Sequence, residues 1–365
     1  MTDAQQKQPK HVMMMAAGTG GHVFPALAVA QELQRKGIEV SWLATPAGME
    51  NRLLKNHNIP IYQIDIQGVR GNGMVRKMLA PFKILKATLS AMRCMKQLKV
   101  DAVAGFGGYV AGPGGLAARA LGIPVLIHEQ NAVAGFTNTQ LTRVANVVCE
   151  AFPGTFPKQD KVVATGNPVR REIAEILNPS WRYQEREKAG QPLRILIVGG
   201  SLGARALNEC VPEALKLLDA PLRVFHQCGQ NNAEAVQARY AGAPDKLHAE
   251  VSAFIEDMAQ AYSDADLIIC RAGALTVTEV ATAGLAAVFV PLPSAVDDHQ
   301  TANARFLADI HAAKICPQAE MTPESLAALL KPLLNRQLLQ EMAVKARRQA
   351  QPDAAQHVVR LIQEL

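Results

Sequence analysis

Short apolar runs recur along the chain, each ending in a glycine-rich or polar turn. In the first half they are HVMMMAAG, IEVSWLAT, IYQIDI, DAVAGFG, PVLIHEQ and NVVCEA. In the second they are LRILIVGG, LRVFHQCG, ADLIICRA, AAVFVPLP and AAKICPQ. Runs that are apolar on both faces predict buried parallel strands. Segments with helical spacing, such as Val23 to Arg35, lie between many of them. The alternation predicts an α/β chain with two doubly wound parallel sheets, each covered by helices on both faces.

The pattern weakens between Asn167 and Pro192, where Pro168, Pro179 and Gly190 stand among charged residues, and a linker is expected. It then restarts as it began, because HVMMMAAGTGG and RILIVGGSLGA are both a strand, a glycine turn and a helix start, with Gly20 matched to Gly200. Two Rossmann-like domains facing each other across a cleft are expected, over residues 1–168 and 169–349. The tail from Pro323 is helical, with Pro323 suited to a first turn, and its last helix, about 350–365, is expected to return to the first domain. The polar start, Met1 to Lys10, is expected to fray.

Composition supports this picture. Of 365 residues, 49% are hydrophobic but only 5% aromatic, which suits aliphatic sheets under helices. The six cysteines form no CxxC pair, so free thiols in a reducing cytosol are expected. VMMMAAG is too short for a signal peptide, and the uncharged run Ala102 to Ala118 is too rich in glycine to span a bilayer. A soluble or peripheral protein is expected. The net charge of +6 is unevenly placed: Ile66 to Val100 holds eight basic residues and no acidic one. That window predicts an anionic neighbour.

A strand that ends in a glycine turn and feeds a helix aims unpaired N–H groups and the positive helix end at one point, so both glycine loops predict phosphate binding. A dinucleotide is disfavoured. The first loop has Val23 where the fingerprint needs a small residue, the second has Ser201 where it needs glycine, and IEVSWLAT ends without a ribose carboxylate. No GK[ST] occurs, which removes Walker-type NTPases. His22, at the first helix start, is suited to accept a proton from a substrate hydroxyl, since an imidazole titrates near neutrality.

FGGYVAGPGG is a second glycine-rich turn, and HEQNAVAGFTN puts polar side chains at a strand's carboxyl edge, as sugar hydroxyls and amides require. In CRAGALTVTEVATAGLAAVFVPLPSAVDDHQTANA, Glu279 is placed to hold ribose hydroxyls and Gln300 to read a sugar. Asp264 and Asp266 sit between a helix and a strand, where a turn or cap role is expected, and Asp297 and Asp298 lack a third ligand. No obligatory metal and no cofactor are expected.

AAGTGGHVFPALAVA, GFGGYVAGP, HEQNAVAGFTN, GNPVR, GGSLGARALN and CRAGALTVTE together resemble the MurG family of bacterial N-acetylglucosaminyltransferases, in the same order over about Val12 to Ala304. The resemblance implies the GT-B fold. It also implies inverting transfer of N-acetylglucosamine from its UDP donor to the 4-hydroxyl of undecaprenyl-linked lipid I, giving lipid II in peptidoglycan synthesis. By position, Thr19, Gly20 and Gly21 would lie near donor and acceptor, and Asn131 would contact N-acetylglucosamine. Arg170 and Ser201 would serve the donor, Ile255 would meet the uracil, and Ala274, Leu275, Thr276, Val277, Thr278 and Glu279 would cap the nucleotide. Gln300 would hold the sugar. The chain departs from the family at Leu202, where glutamine is commoner, and at His299, which stands beside Gln300. His22 is the leading candidate base and Glu129 the runner-up.

A lipid acceptor gives the basic window a purpose. Met74, Val75, Met78, Leu79 and Phe82 alternate with Arg76, Lys77 and Lys83, and an anionic membrane surface is expected there. Pro81 is expected to start a new helix whose stripe of Phe82, Leu85, Leu89 and Met92 packs on the sheet. The resemblance places the protein peripherally on the cytoplasmic face of the inner membrane, with other cell-wall or division proteins as candidate partners and no nucleic acid. Two rivals stay open: another GT-B enzyme, such as a diacylglycerol glucosyltransferase or a UDP-N-acetylglucosamine epimerase, and a non-enzymatic scaffold that senses nucleotide sugar.

Overall fold

The structure, a computed structural model, describes residues 8–66, 74–200, 203–293, 295 and 298–365, with only the backbone described over 74–79. It divides into two compact units, Met1–Arg170 with Gln351–Leu365, and Arg171–Ala350.

Unit 1 contains β1 (His11–Ala16), α1 (Gly20–Arg35), β2 (Glu39–Ala44), α2 (Glu50–Leu53), β3 (Ile61–Gln63), α3 (Met74–Leu98) and β4 (Ala102–Gly107). There follow α4 (Ala111–Leu121), β5 (Val125–Glu129), α5 (Phe136–Leu141), β6 (Val147–Glu150) and β7 (Val162–Ala164). Unit 2 begins with α6 (Arg171–Ala174), α7 (Pro179–Lys188), β8 (Leu193–Val198), α8 (Arg205–Lys216), β9 (Leu222–Gln227), α9 (Ala233–Arg239) and β10 (Leu247–Ser252). It continues with α10 (Met258–Asp264), β11 (Leu267–Cys270), α11 (Ala274–Ala283), β12 (Ala286–Phe289), α12 (His299–Ala308), β13 (Ala313–Ile315), α13 (Pro323–Leu330) and α14 (Arg336–Arg348). The last helix, α15 (Ala354–Gln363), belongs to unit 1.

The seven strands of unit 1 run β3-β2-β1-β4-β5-β6-β7 and the six of unit 2 run β10-β9-β8-β11-β12-β13. The recorded pairs are parallel, and both sheets share the doubly wound order that reverses beside the first strand. β1 is buried along its whole length, because helices cover both faces. On one face Val23, Ala26, Leu27 and Leu33 of α1 pack with Val358, Val359 and Ile362 of α15. On the other, Ala87, Ala91 and Met95 of α3 join Ala111, Ala117 and Ala118 of α4. α4 comes close because it carries glycine: a Cβ at Gly114 would stand 2.3 Å from Met15 Sδ, and one at Gly115 2.7 Å from Leu141 Cδ2. In FGGYVAGPGG, Phe106 and Gly107 end β4, Gly108 to Val110 make the turn, and the helix starts at Ala111.

Three expectations change. First, α3 runs unbroken from Met74 to Leu98 with Pro81 inside it, so Pro81 starts no new helix. Proline's φ is helical, so it costs a hydrogen bond rather than the helix, and the burial of Ala87, Ala91 and Met95 holds the rest. Second, the stripe beginning at Phe82 faces outward: Phe82, Leu85 and Leu89 are 72%, 57% and 45% exposed, and only Met92 packs on the core. Helical spacing defines a stripe but not its direction, and here the smaller alanines take the inner side. Third, the stretch read as a linker holds α6 and α7. Tyr183 is fully buried, and Arg182 donates to the carbonyls of Leu177, Tyr262, Ser263, Ala283 and Gly284. Strands β7 and β10 were not foreseen.

All six cysteines are free, and all but Cys94 are buried. Among the described residues no helix is long and apolar enough to cross a membrane.

Candidate functional site

Ligands of open α/β sheets settle where the strand order reverses, at the carboxyl ends. In unit 1 that point lies between β1 and β4. The chain leaves β1 through Ala17 and Gly18 (φ +100°), and α1 begins at Gly20 behind Thr19. The turn after β4 presses on this loop: a Cβ at Gly108 would come within 2.1 Å of the Ala17 carbonyl oxygen, and one at Gly107 within 3.0 Å of His22 Cδ2. Only glycine allows that approach, and φ is +100° at Gly107 and +79° at Gly108. His22 is thus set in the first turn of α1 with its ring on the β4 turn. Thr19 is exposed, and Gly20, Gly21 and His22 are half-buried. Phe24 covers Gly20, and the Arg170 guanidinium lies 5.7 Å from the Phe24 ring centre.

The loop after β5 is held by Glu129. Its Oε1 accepts the Asn131 N–H (3.0 Å) and Nδ2–H (3.2 Å), and its Oε2 accepts the Gly135 N–H (3.0 Å) and Asn138 Nδ2–H (2.9 Å). Four donors occupy this carboxylate, so its evident work is to fix the Asn131 loop. Beside it His128 is fully buried, stacked on Phe106 with ring centres 5.2 Å apart. Its Nε2–H donates to the Gly166 carbonyl (2.9 Å), while Nδ1 accepts from Gln130 Nε2 (3.2 Å). Burial pushes its pKa down to about 4, so the ring is neutral.

In unit 2 the reversal falls between β8 and β11. Gly200 (φ +87°) is the second residue after β8, as Gly18 is after β1, so the backbone pairs Gly200 with Gly18 rather than with Gly20. Gln227, at the end of β9, grips this loop: its Oε1 accepts the Gly200 N–H (3.1 Å) and its Nε2 donates to the Gly200 carbonyl (3.0 Å). A Cβ at Gly203 would stand 2.1 Å from the Cys228 carbonyl oxygen. Ser201 and Leu202 lie outside the described residues, as does Asp297.

After β11, Gly273 precedes α11. Leu275 and Thr276 are half-buried at its start, and Ala274, Val277, Thr278 and Glu279 are buried. The Tyr262 hydroxyl donates to Glu279 Oε2 at 2.9 Å and orients the carboxylate. Gln300 Oε1 accepts the Ala272 N–H (3.2 Å) and Leu292 N–H (3.0 Å), joining the ends of β11 and β12 and turning its amide N–H groups away from them. His299, beside it, is half-buried at the start of α12. Ile255 is buried on the rim of a groove of about 470 Å³ over the first halves of β8 and β9, away from the Gly200 loop.

The side chains of Met74, Val75, Arg76, Lys77, Met78 and Leu79 lie outside the description, while Phe82 is exposed. Asp266 is buried against Arg186 (2.7 Å) and Arg336 (3.4 Å), and Asp264 meets Arg194 at 3.5 Å. These acids pair with arginines, and among the described residues no three His, Cys, Asp or Glu side chains gather as a metal would require. Sequence reading missed Glu50, Gln227 and Tyr262. The available signal for Gln227 was a polar residue closing the apolar run LRVFHQCG.

Residues 12–149 match the glycosyltransferase family 28 N-terminal domain, and residues 194–358 match its C-terminal domain. The chain belongs to glycosyltransferase family 28.

Within family 28, it is 78% identical over 365 residues, the whole of both chains, to the UDP-N-acetylglucosamine–N-acetylmuramyl-(pentapeptide) pyrophosphoryl-undecaprenol N-acetylglucosamine transferase of Acinetobacter baumannii (strain AYE). The protein of that name from Aeromonas hydrophila is 53% identical over 350 residues, 96% of this chain and 95% of that one. The crystal structure of Acinetobacter baumannii MurG superposes with a TM-score of 0.87 at 75% identity, covering 98% of this chain and all of that one. The glycosyltransferase VinC in complex with DTDP shares the fold alone, with a TM-score of 0.67 at 17% identity, covering 97% of this chain and all of that one. The two parallel-sheet units are the GT-B architecture of family 28.

Proposed function

We propose that this family 28 enzyme transfers N-acetylglucosamine from UDP-N-acetylglucosamine to the 4-hydroxyl of N-acetylmuramyl-pentapeptide pyrophosphoryl-undecaprenol, lipid I, with inversion, and so makes lipid II. The observation that carries this reading is full-length identity of 78% to a transferase whose name states donor and acceptor.

Inverting transfer needs a base for the acceptor hydroxyl and a stabiliser for departing UDP. His22 is the base of this proposal, supported by its fixed place on Gly107. Thr19, Gly20 and Gly21 frame it, and Asn131 meets the sugar from a loop that Glu129 braces. We assign Glu129 that bracing part in preference to the base. The Gly200 loop with Ser201 and the start of α8 receives the diphosphate, where N–H groups and the helix end offset negative charge without a metal. Ile255 meets the uracil, Ala274 to Glu279 cap the nucleotide with Glu279 on the ribose, and Gln300 holds the sugar. Arg170 serves the donor.

The acceptor's lipid places the enzyme peripherally on the cytoplasmic face of the cell membrane. The docking surface is α3, from Met74 to Leu89: the outward Phe82, Leu85 and Leu89 enter the interface, while Arg76, Lys77, Lys83 and Lys86 meet anionic headgroups.

UDP release, measured with and without a lipid I analogue, tests the reading. Release that depends on the analogue supports it. An epimerase would turn over the nucleotide sugar alone, and a sensing scaffold would release no UDP with any acceptor.

A further inference from the structure

Gly18 and Gly200 hold corresponding places in the two glycine loops, and the side chains that grip them differ. Gly18 and Gly200 each follow their strand by two residues with positive φ. Each donates its N–H to a buried side chain, at the end of β9 in unit 2 and at the start of α2 in unit 1. In unit 2 that group is the neutral amide of Gln227, 3% exposed, which also donates to the Ala253 carbonyl at 3.0 Å. In unit 1 it is the carboxylate of Glu50, which has no exposed surface. Its Oε2 accepts the Gly18 N–H at 3.4 Å, and its Oε1 accepts the Thr45 N–H (2.9 Å) and hydroxyl (3.0 Å). The carboxylate fills the space beside Gly48, where a Cβ would stand 2.0 Å from Oε1 and 2.3 Å from Oε2.

We infer that Glu50 and Gln227 sort charge between the loops: Glu50 positions the first loop and keeps diphosphate out of it, while Gln227 holds the second in the same way and leaves it open to diphosphate. Both N–H groups are engaged, so the difference lies in charge: a carboxylate behind the first loop repels a phosphate in front of it. The amide exerts no such repulsion. The first loop then receives an uncharged group, which suits a sugar hydroxyl on its way to His22.

The inference rests on the proposed UDP donor, and binding measurements that need no turnover separate the two. Calorimetry with UDP is made on wild type, Gln227→Glu and Gln227→Met. Methionine removes the same hydrogen bonds without adding charge, so UDP is expected to weaken at least tenfold in Gln227→Glu and several-fold less in Gln227→Met. Inorganic pyrophosphate is then titrated into UDP-saturated protein. It is expected to bind at least fivefold tighter to Glu50→Gln, and also to Gly48→Ala, whose new methyl group displaces the carboxylate with no change of sequence at Glu50. Equal losses in the two Gln227 variants, or pyrophosphate binding within twofold of wild type in both Glu50→Gln and Gly48→Ala, would overturn the inference. Wild type that fails to bind UDP would overturn the proposed function and this inference with it.

Discussion

The imidazole of His22 rests on the α-carbon of Gly107: a methyl group there would stand 3.0 Å from Cδ2 and 3.1 Å from Nε2. The place of this α1 ring is therefore set by the last residue of β4. Gly107→Ala should displace the ring and strain a backbone at φ +100°. His22→Ala should lower kcat by about 100-fold or more, the usual contribution of a general base, with the Kd for UDP little changed. Gly107→Ala should do the same in kind. Near-normal turnover in His22→Ala removes it from the role.

Two buried histidines predict how the units respond to acid. Burial lowers the pKa of His128 and of His226 from 6.5 to about 4. Below pH 6.5 the unfolded chain takes up a proton that the folded chain refuses, so each contribution is complete above 6.5 and is lost as pH falls towards 4. The loss approaches about 3 kcal/mol for each group. Urea unfolding of unit 1, followed by Trp42 fluorescence in a Trp181→Phe background, should show a steeper fall between these values in the parent than in His128→Gln. Parallel slopes would contradict the assignment.

On the donor side, Tyr262 acts through Glu279. Tyr262→Phe removes the 2.9 Å hydrogen bond that orients the carboxylate. The KM for UDP-N-acetylglucosamine should rise several-fold, with a smaller change in kcat, since the bond serves binding in ground and transition states alike. A fall in kcat at unchanged KM would point to a different role for Glu279.

The long aliphatic strands and the glycine turns were legible because a buried parallel strand is apolar on both faces. Strand β7 was not, being only Val162–Ala164, nor was β10, where Leu247, Ala249 and Val251 alternate with polar residues. The helix α7 was hidden for another reason. Arg182 and Arg186 look like solvated charge in a sequence, yet both are buried and donate to backbone carbonyls. At the site, glycine spacing located both loops and His22. It could not reveal Glu50 or Gln227, whose meaning lies in which N–H each accepts.

The outward stripe of α3 makes the membrane proposal specific. Replacing Phe82, Leu85 and Leu89 by serine removes exposed apolar surface without touching the core contacts of Ala87, Ala91 and Met95. Flotation with anionic liposomes should fall strongly in the triple variant and in Arg76→Glu, Lys77→Glu, while UDP binding stays within twofold. Unchanged flotation in both would refute docking through α3.

Acceptor-dependent sugar transfer is read directly from its product. Purified protein is incubated with UDP-N-acetylglucosamine and a lipid I analogue, and the lipid is examined by mass spectrometry and NMR. The expected product is a lipid that has gained one N-acetylglucosamine, β-linked to the muramyl 4-hydroxyl, with an equal amount of UDP. An unmodified lipid, or a nucleotide sugar altered without any acceptor, would contradict it.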